Sequence, residues 1–212
     1  MMKTIYRSIP VTLAMIASTT HAASISDLYI SEVMANPGAV ADTAGEWFEL
    51  YNPTTEAISL TGITVSDDGS NSFTIGTASI TSGQYFVLAR NGDTASNGGF
   101  TADYVYSNFS LNNSADQIVL SFNSTELLRL DYASAGFAAA GRSMELTGLP
   151  MTDANYSLTD SLLSYGLGDI GTPGAAGTFT PPAAVPLPAA AWLFGSGLAG
   201  LIGVRRQRKK VK

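Results

Sequence analysis

The sequence predicts an all-β sandwich followed by one C-terminal transmembrane helix. Three observations carry this. Between Asp27 and Glu145, short runs of alternating apolar and polar residues are separated by Gly, Pro, Asn and Asp. Nowhere in that stretch does a helical period last for the roughly 10–12 residues that a helix needs. Far downstream, residues 187–204 are apolar and uncharged, and a basic cluster follows at once.

The N-terminus reads as a secretory signal peptide over residues 1–22. Lys3 and Arg7 form its positive region, and Ile9 to Ala17 its short apolar region. Thr20-His21-Ala22 supplies the small-residue cleavage signal, so cleavage is expected between Ala22 and Ala23. His21 is the only histidine and leaves with this peptide.

The body then offers nine strand candidates in order. They are 28–33, 46–51, 58–60, 63–65, 73–75, 85–88, 104–106, 117–122 and 127–132. Asn36-Pro37-Gly38, Asn52-Pro53, Asp67-Asp68-Gly69 and Ser82-Gly83 punctuate them. Seven to nine short strands at this spacing suggest a sandwich. Alternation places Phe48 and Leu50 on one side of the second strand, and Trp47 and Tyr51 on the other.

These segments resemble the lamin tail domain family. The resemblance rests on an ordered set of pieces. They are Ile30-Ser31-Glu32-Val33, Glu46-Trp47-Phe48-Glu49-Leu50-Tyr51-Asn52, Ile58-Ser59-Leu60-Thr61-Gly62 and Ser82-Gly83-Gln84-Tyr85. Leu111-Asn112-Asn113 with Asp116-Gln117-Ile118-Val119-Leu120, Gly141-Arg142-Ser143 and Gly171-Thr172-Pro173-Gly174 complete it. It covers residues 24–179 and implies an immunoglobulin-like β-sandwich. Two positions depart from the family pattern. Ile63 stands where an aromatic is common, and Gly177 where the closing segment often ends in Asn.

Residues 171–184 are rich in Gly, Pro, Ala and Thr, which reads as a flexible-to-extended linker overlapping the end of the body. Residues 187–204 are about long enough to cross a thin bilayer. The six basic residues within 205–212 then stay cytoplasmic by the positive-inside rule, which leaves the body outside. Val185-Pro186-Leu187-Pro188, the apolar segment and the basic end together resemble the PEP-CTERM sorting signal of Gram-negative bacteria. The usual Pro-Glu-Pro is replaced by Pro186-Leu187-Pro188. The resemblance covers residues 185–212. It implies an exosortase and signal peptidase as partners during export, an inner-membrane stage with a periplasmic body, and release to the cell surface alongside exopolysaccharide.

Composition narrows the chemistry. The seventeen acids all lie between Asp27 and Asp169, against three arginines there, a net charge of −14 for that stretch. Such a body repels nucleic acid. It contains no Cys, His or Lys, which excludes histidine triads, thiol and Schiff-base nucleophiles and histidine or thiolate zinc sites. Only carboxylates remain as acid–base candidates, namely Glu32, Glu46 and Glu49, and strand alternation separates Glu46 from Glu49. Pairing of Glu32 or Glu49 with Arg129 or Arg142 is their expected structural use. Asp67, Asp68 and Asn71 offer hard oxygen ligands for Ca²⁺, but they lack the spaced carboxylates and terminal Glu of a loop such as the EF-hand, and an Asp-Gly hairpin turn is the expected reading. Trp47, Tyr85, Tyr104, Tyr106 and Phe109 suit either a sugar-stacking surface or a core.

The expectation is a non-enzymatic exported module, structural or adhesive, with no cofactor. Its alternative is a Ca²⁺- or exopolysaccharide-binding module, and a carboxylate-dependent glycosidase ranks third.

Overall fold

A computed structural model describes residues 23–179, which lie within one unit, Ala23–Val185. The alternating runs become short antiparallel strands. They are β1 (Tyr29–Met34), β2 (Trp47–Tyr51), β3 (Ile58–Ser59), β4 (Thr64–Ser66), β5 (Ser72–Thr74), β6 (Ser79–Ile80), β7 (Tyr85–Ala89) and β8 (Tyr104–Val105). The rest are β9 (Asp116–Phe122), β10 (Thr125–Tyr132), β11 (Met144–Leu146), β12 (Tyr156–Leu158), β13 (Ser164–Tyr165) and β14 (Asp169–Ile170). All nine expected strands form.

A six-stranded sheet in the order β12-β11-β1-β2-β7-β8 faces a four-stranded sheet in the order β10-β9-β4-β5. Pairing is antiparallel except for β7 with β8. The two facing surfaces build one apolar core. Ile30, Val33, Phe48, Leu50, Leu88 and Met144 come from the larger sheet, and Val65, Ile118, Leu120, Leu128 and Leu130 from the smaller. This is an all-β sandwich. Tyr132 and Phe137 stack within that core at 4.2 Å.

One irregularity decides what the other side of the larger sheet carries. The β1–β2 register shifts between Ile30 and Glu32. In an unbroken strand Ile30 and Glu32 would share a face. The bulge inserts Ser31, so Ile30 and Val33 both point into the core while Glu32 and Met34 point away from it. In β2, Phe48 and Leu50 take the core side and Trp47 takes the opposite side. Trp47 is 0% exposed. Met34, Trp47, Val87, Ala89 and Phe100 form a second buried cluster there.

The linker reading meets a different outcome for residues 171–179. Residues 171–178 lie on this outer face and are held by side chains of three strands, and Phe179 packs on the main core. The composition that suggests a free coil is here a consequence of close approach. A Cβ on Gly171 would come within 2.9 Å of Glu32 Oε1, and one on Gly177 would run into Glu145 Oε2. The second clash accounts for Gly177 at a position the family often gives to Asn. Among the described residues no helix is long and apolar enough to cross a membrane. The expected spanning segment 187–204, the sorting residues Val185, Pro186, Leu187 and Pro188, and Ala22 of the cleavage signal lie outside the described residues. Ala23 is partly buried and packs on the main core.

Candidate functional site

The outer face of the larger sheet holds three glutamates in a line. Glu32 of β1 is registered with Glu145 of β11 on one side and with Glu49 of β2 on the other. Residues opposite each other on neighbouring antiparallel strands have Cα atoms roughly 4.5–5.5 Å apart. All three side chains are buried. The closing segment covers them and supplies donors to each. Thr172 donates its backbone N–H to Glu32 Oε1 at 2.9 Å and its hydroxyl to Oε2. Gly174 N–H donates to Glu49 Oε2 at 2.6 Å. Thr178 donates its N–H and hydroxyl to Glu145 at 2.9 and 2.6 Å. From below, the bulged Ser31 donates its hydroxyl to Glu49 Oε1 at 2.7 Å, and Ser143 donates to Glu32.

Among the described residues no arginine enters this row. The expected pairing of Glu32 or Glu49 with Arg129 or Arg142 is therefore corrected. Arg142 donates to the Thr159 carbonyl, and Arg129 binds Asp68, Asp131 and Glu126 on the four-stranded sheet's side. The strap's N–H and hydroxyl groups take the place that cations were expected to fill. Burial pushes the Glu32 carboxyl above its ordinary range, against the hydrogen bonds from Ser143 and Thr172. Burial and then the charge of Glu32 push Glu49 well above that range. Both causes act against charge in a dry site.

Glu46 stands apart. It precedes β2 and accepts from Arg90 Nη1 and from Leu111 N–H, both at 3.1 Å. Burial outweighs these partners and raises its carboxyl to about 7. Glu46 and Glu49 thus occupy different sites, as alternation requires, whereas Glu32 and Glu49 are brought together.

The expected Ca²⁺ candidates have other engagements. Asp67 Oδ1 accepts the Gly69 and Asn71 N–H groups, and Oδ2 accepts the Asn71 side-chain amide at 2.7 Å, which closes a side-chain-stabilised turn. Asp68 receives a bidentate contact from Arg129. Among the described residues, no group of three or more Asp, Glu, His or Cys is arranged to hold a metal ion. The aromatic candidates do not share a surface. Tyr106 and Phe109 sit in the main core, where Tyr106 stacks on Phe73 at 4.7 Å. Trp47 lies on the opposite face, tilted against Phe100 and edge-on to Tyr165, and its Nε1 donates to Tyr165 Oη at 3.0 Å.

Sequence reasoning passed over Glu145, Ser31 and the strap donors Thr172, Gly174 and Thr178. The signal for Glu145 was present in Met144-Glu145-Leu146, a polar residue between two apolar ones in a short strand. Nothing in the pattern pointed to the bulge.

A model of the Lamin Tail Domain family matches residues 21–134. No curated protein matches the chain.

Proposed function

This chain belongs to the Lamin Tail Domain family, and from that premise we propose that it is a non-enzymatic β-sandwich module exported to the cell surface. The observation that carries the non-enzymatic reading is the engagement of its buried glutamates. Glu32, Glu49 and Glu145 hold the chain's own closing segment, and Glu46 holds Arg90 and the Leu111 backbone. An acid–base pair for glycoside hydrolysis needs two carboxyls flanking a bound sugar. The three glutamates that adjoin here, Glu145, Glu32 and Glu49, are covered by residues 171–178.

The export route in this proposal is drawn from the chain's ends. The signal peptide delivers the body across the inner membrane, and residues 187–204 hold it there with the basic end inside. Pro186 and Pro188 resist helix and present an extended segment to an exosortase. Cutting near Val185-Pro186-Leu187-Pro188 then releases a structural or adhesive domain to the exopolysaccharide-rich surface. Residues 171–179 leave with the body as part of its fold.

Mass spectrometry of surface-released protein tests this reading. A C-terminus near residue 185 is expected. A released chain that still contains Trp192 overturns the processing step, and retention of the P186A/P188A double variant in the inner membrane is the expected companion result.

A further inference from the structure

A buried row of three glutamates without a cation has few ways to accommodate charge. Glu145, Glu32 and Glu49 adjoin across β11, β1 and β2. The other titratable groups near the row are Tyr165 of β13, Asp169 of β14 and Asp103, and none of them is basic. Residues 23–179 contain only three basic side chains, Arg90, Arg129 and Arg142. These are engaged with Glu46, with Asp68, Asp131 and Glu126, and with the Thr159 carbonyl.

The cover over the row is of an unusual kind. Residues 171–178 read Gly-Thr-Pro-Gly-Ala-Ala-Gly-Thr and carry no large apolar side chain. Their grip on the sheet runs through the N–H groups of Thr172, Gly174 and Thr178 and the hydroxyls of Thr172 and Thr178. Elsewhere the sandwich is closed by apolar burial, which does not depend on pH. Here closure depends on the acids beneath.

We propose that residues 171–178 form a latch, shut while the glutamate row retains a proton and lifting as the row becomes fully ionised. Each added negative charge repels its neighbours across one strand spacing, is nearly inaccessible to solvent and has no basic side chain beside it among the described residues. The row relieves this by admitting water, and the segment that yields most easily is 171–178, which has no large apolar side chain before Phe179 anchors its end on the main core. At Glu32 and Glu49 burial and the neighbouring carboxyl disfavour the charged forms and outweigh the strap's own hydrogen bonds from Thr172 and Gly174, which favour them. By linkage, a carboxyl whose value is raised when docked favours docking below its ordinary range, and that preference disappears as pH rises through the raised value. Lifting the strap bares the three carboxylates. It also loosens residues 171–178, a loop tied at one end to β14 and at the other to Phe179, which packs on the main core.

Amide hydrogen exchange on the full chain in detergent micelles, at about pH 6 and about pH 9 and corrected for intrinsic rates, tests the latch. The Thr172, Gly174 and Thr178 amides are expected to be protected at the lower pH. Their protection then falls by up to about tenfold per pH unit for each proton released, while Leu120 and Leu130 keep theirs. Glu49→Gln, which keeps the shape of a protonated glutamate, is expected to flatten that fall. Equal protection of the strap at both pH values overturns the proposal, and so does a loss that tracks Leu120. The wild-type comparison decides the matter whether or not the variant folds.

Discussion

The two outer faces of this sandwich treat acidic residues in opposite ways. On the four-stranded sheet, Arg129 of β10 lies among Asp68, Glu126 and Asp131, whose side chains are 59, 53 and 60% exposed. Water and a guanidinium share the charge there. On the six-stranded sheet, Glu32, Glu49 and Glu145 are nearly inaccessible, and backbone N–H and hydroxyl groups of the strap replace both water and cation. Exposed ion pairs contribute little to stability because solvent already satisfies their members. Buried acids must be satisfied by the fold itself, and removing one donor or acceptor leaves its partner stranded. The three acids around Arg129 and the three in the covered row therefore have unequal structural consequence.

The largest effect should come from Trp47, which anchors the apolar end of the covered face against Phe100 and Tyr165. Trp47→Ala is expected to cost about 3–5 kcal/mol in denaturant unfolding, as much as Phe48→Ala on the core side. A cost for Trp47→Ala well below that of Phe48→Ala would show that the outer cluster is loosely packed.

Next in size is Glu49→Ala. It strands the Ser31 hydroxyl and the Gly174 N–H and is expected to cost about 1–3 kcal/mol for each donor left unsatisfied by water. Glu49→Gln should cost less, since it retains one acceptor and the side chain's volume. If the two variants melt alike, the hydrogen bonds of the row are unimportant.

A smaller, pH-dependent effect has a definite sign. Burial raises Glu32, Glu46 and Glu49, with Glu46 reaching about 7. Groups raised on folding add stability that is complete below their unfolded value of about 4.5 and is lost as pH rises through the folded value. The melting temperature should accordingly fall between about pH 5 and about pH 8. Exposed Asp68 and Asp93 are lowered and act in the reverse direction, but solvent screens them. A melting temperature that rises over this interval contradicts the burial of the row.

The smallest effects belong to the wet face. Arg129→Ala should shift the melting temperature less than any of these variants. Added Ca²⁺ should leave it unchanged, because Asp67 and Asp68 are already engaged by Asn71 and Arg129. A Ca²⁺-dependent rise would instead restore Asp67, Asp68 and Asn71 as ligands.

Most of the fold was legible, because Phe48, Leu50, Ile118, Leu120 and Leu130 alternate at strand period and the period survives folding. The strands after Leu146 were missed for a physical reason. Tyr156–Leu158, Ser164–Tyr165 and Asp169–Ile170 are two or three residues long and too short to show a period. The site was half legible. Glu32 and Glu49 stood out as acids in strands, but among their partners the Thr172 and Gly174 N–H groups are of a kind that every residue except proline carries and that leaves no mark in a sequence. The strap was misread because small residues serve flexible coils and close-packed backbones equally well. Only the clearance at Gly171 and Gly177 separates those uses.

The central claim is that residues 171–179 complete the domain by closing its carboxylate face. Thermal unfolding of chains ending after Phe179 and after Ile170 tests it most directly. The longer chain is expected to unfold cooperatively at the higher temperature, and the shorter one several degrees lower with faster exchange at the Glu32 and Glu49 amides. Identical melting curves for the two chains would contradict the account.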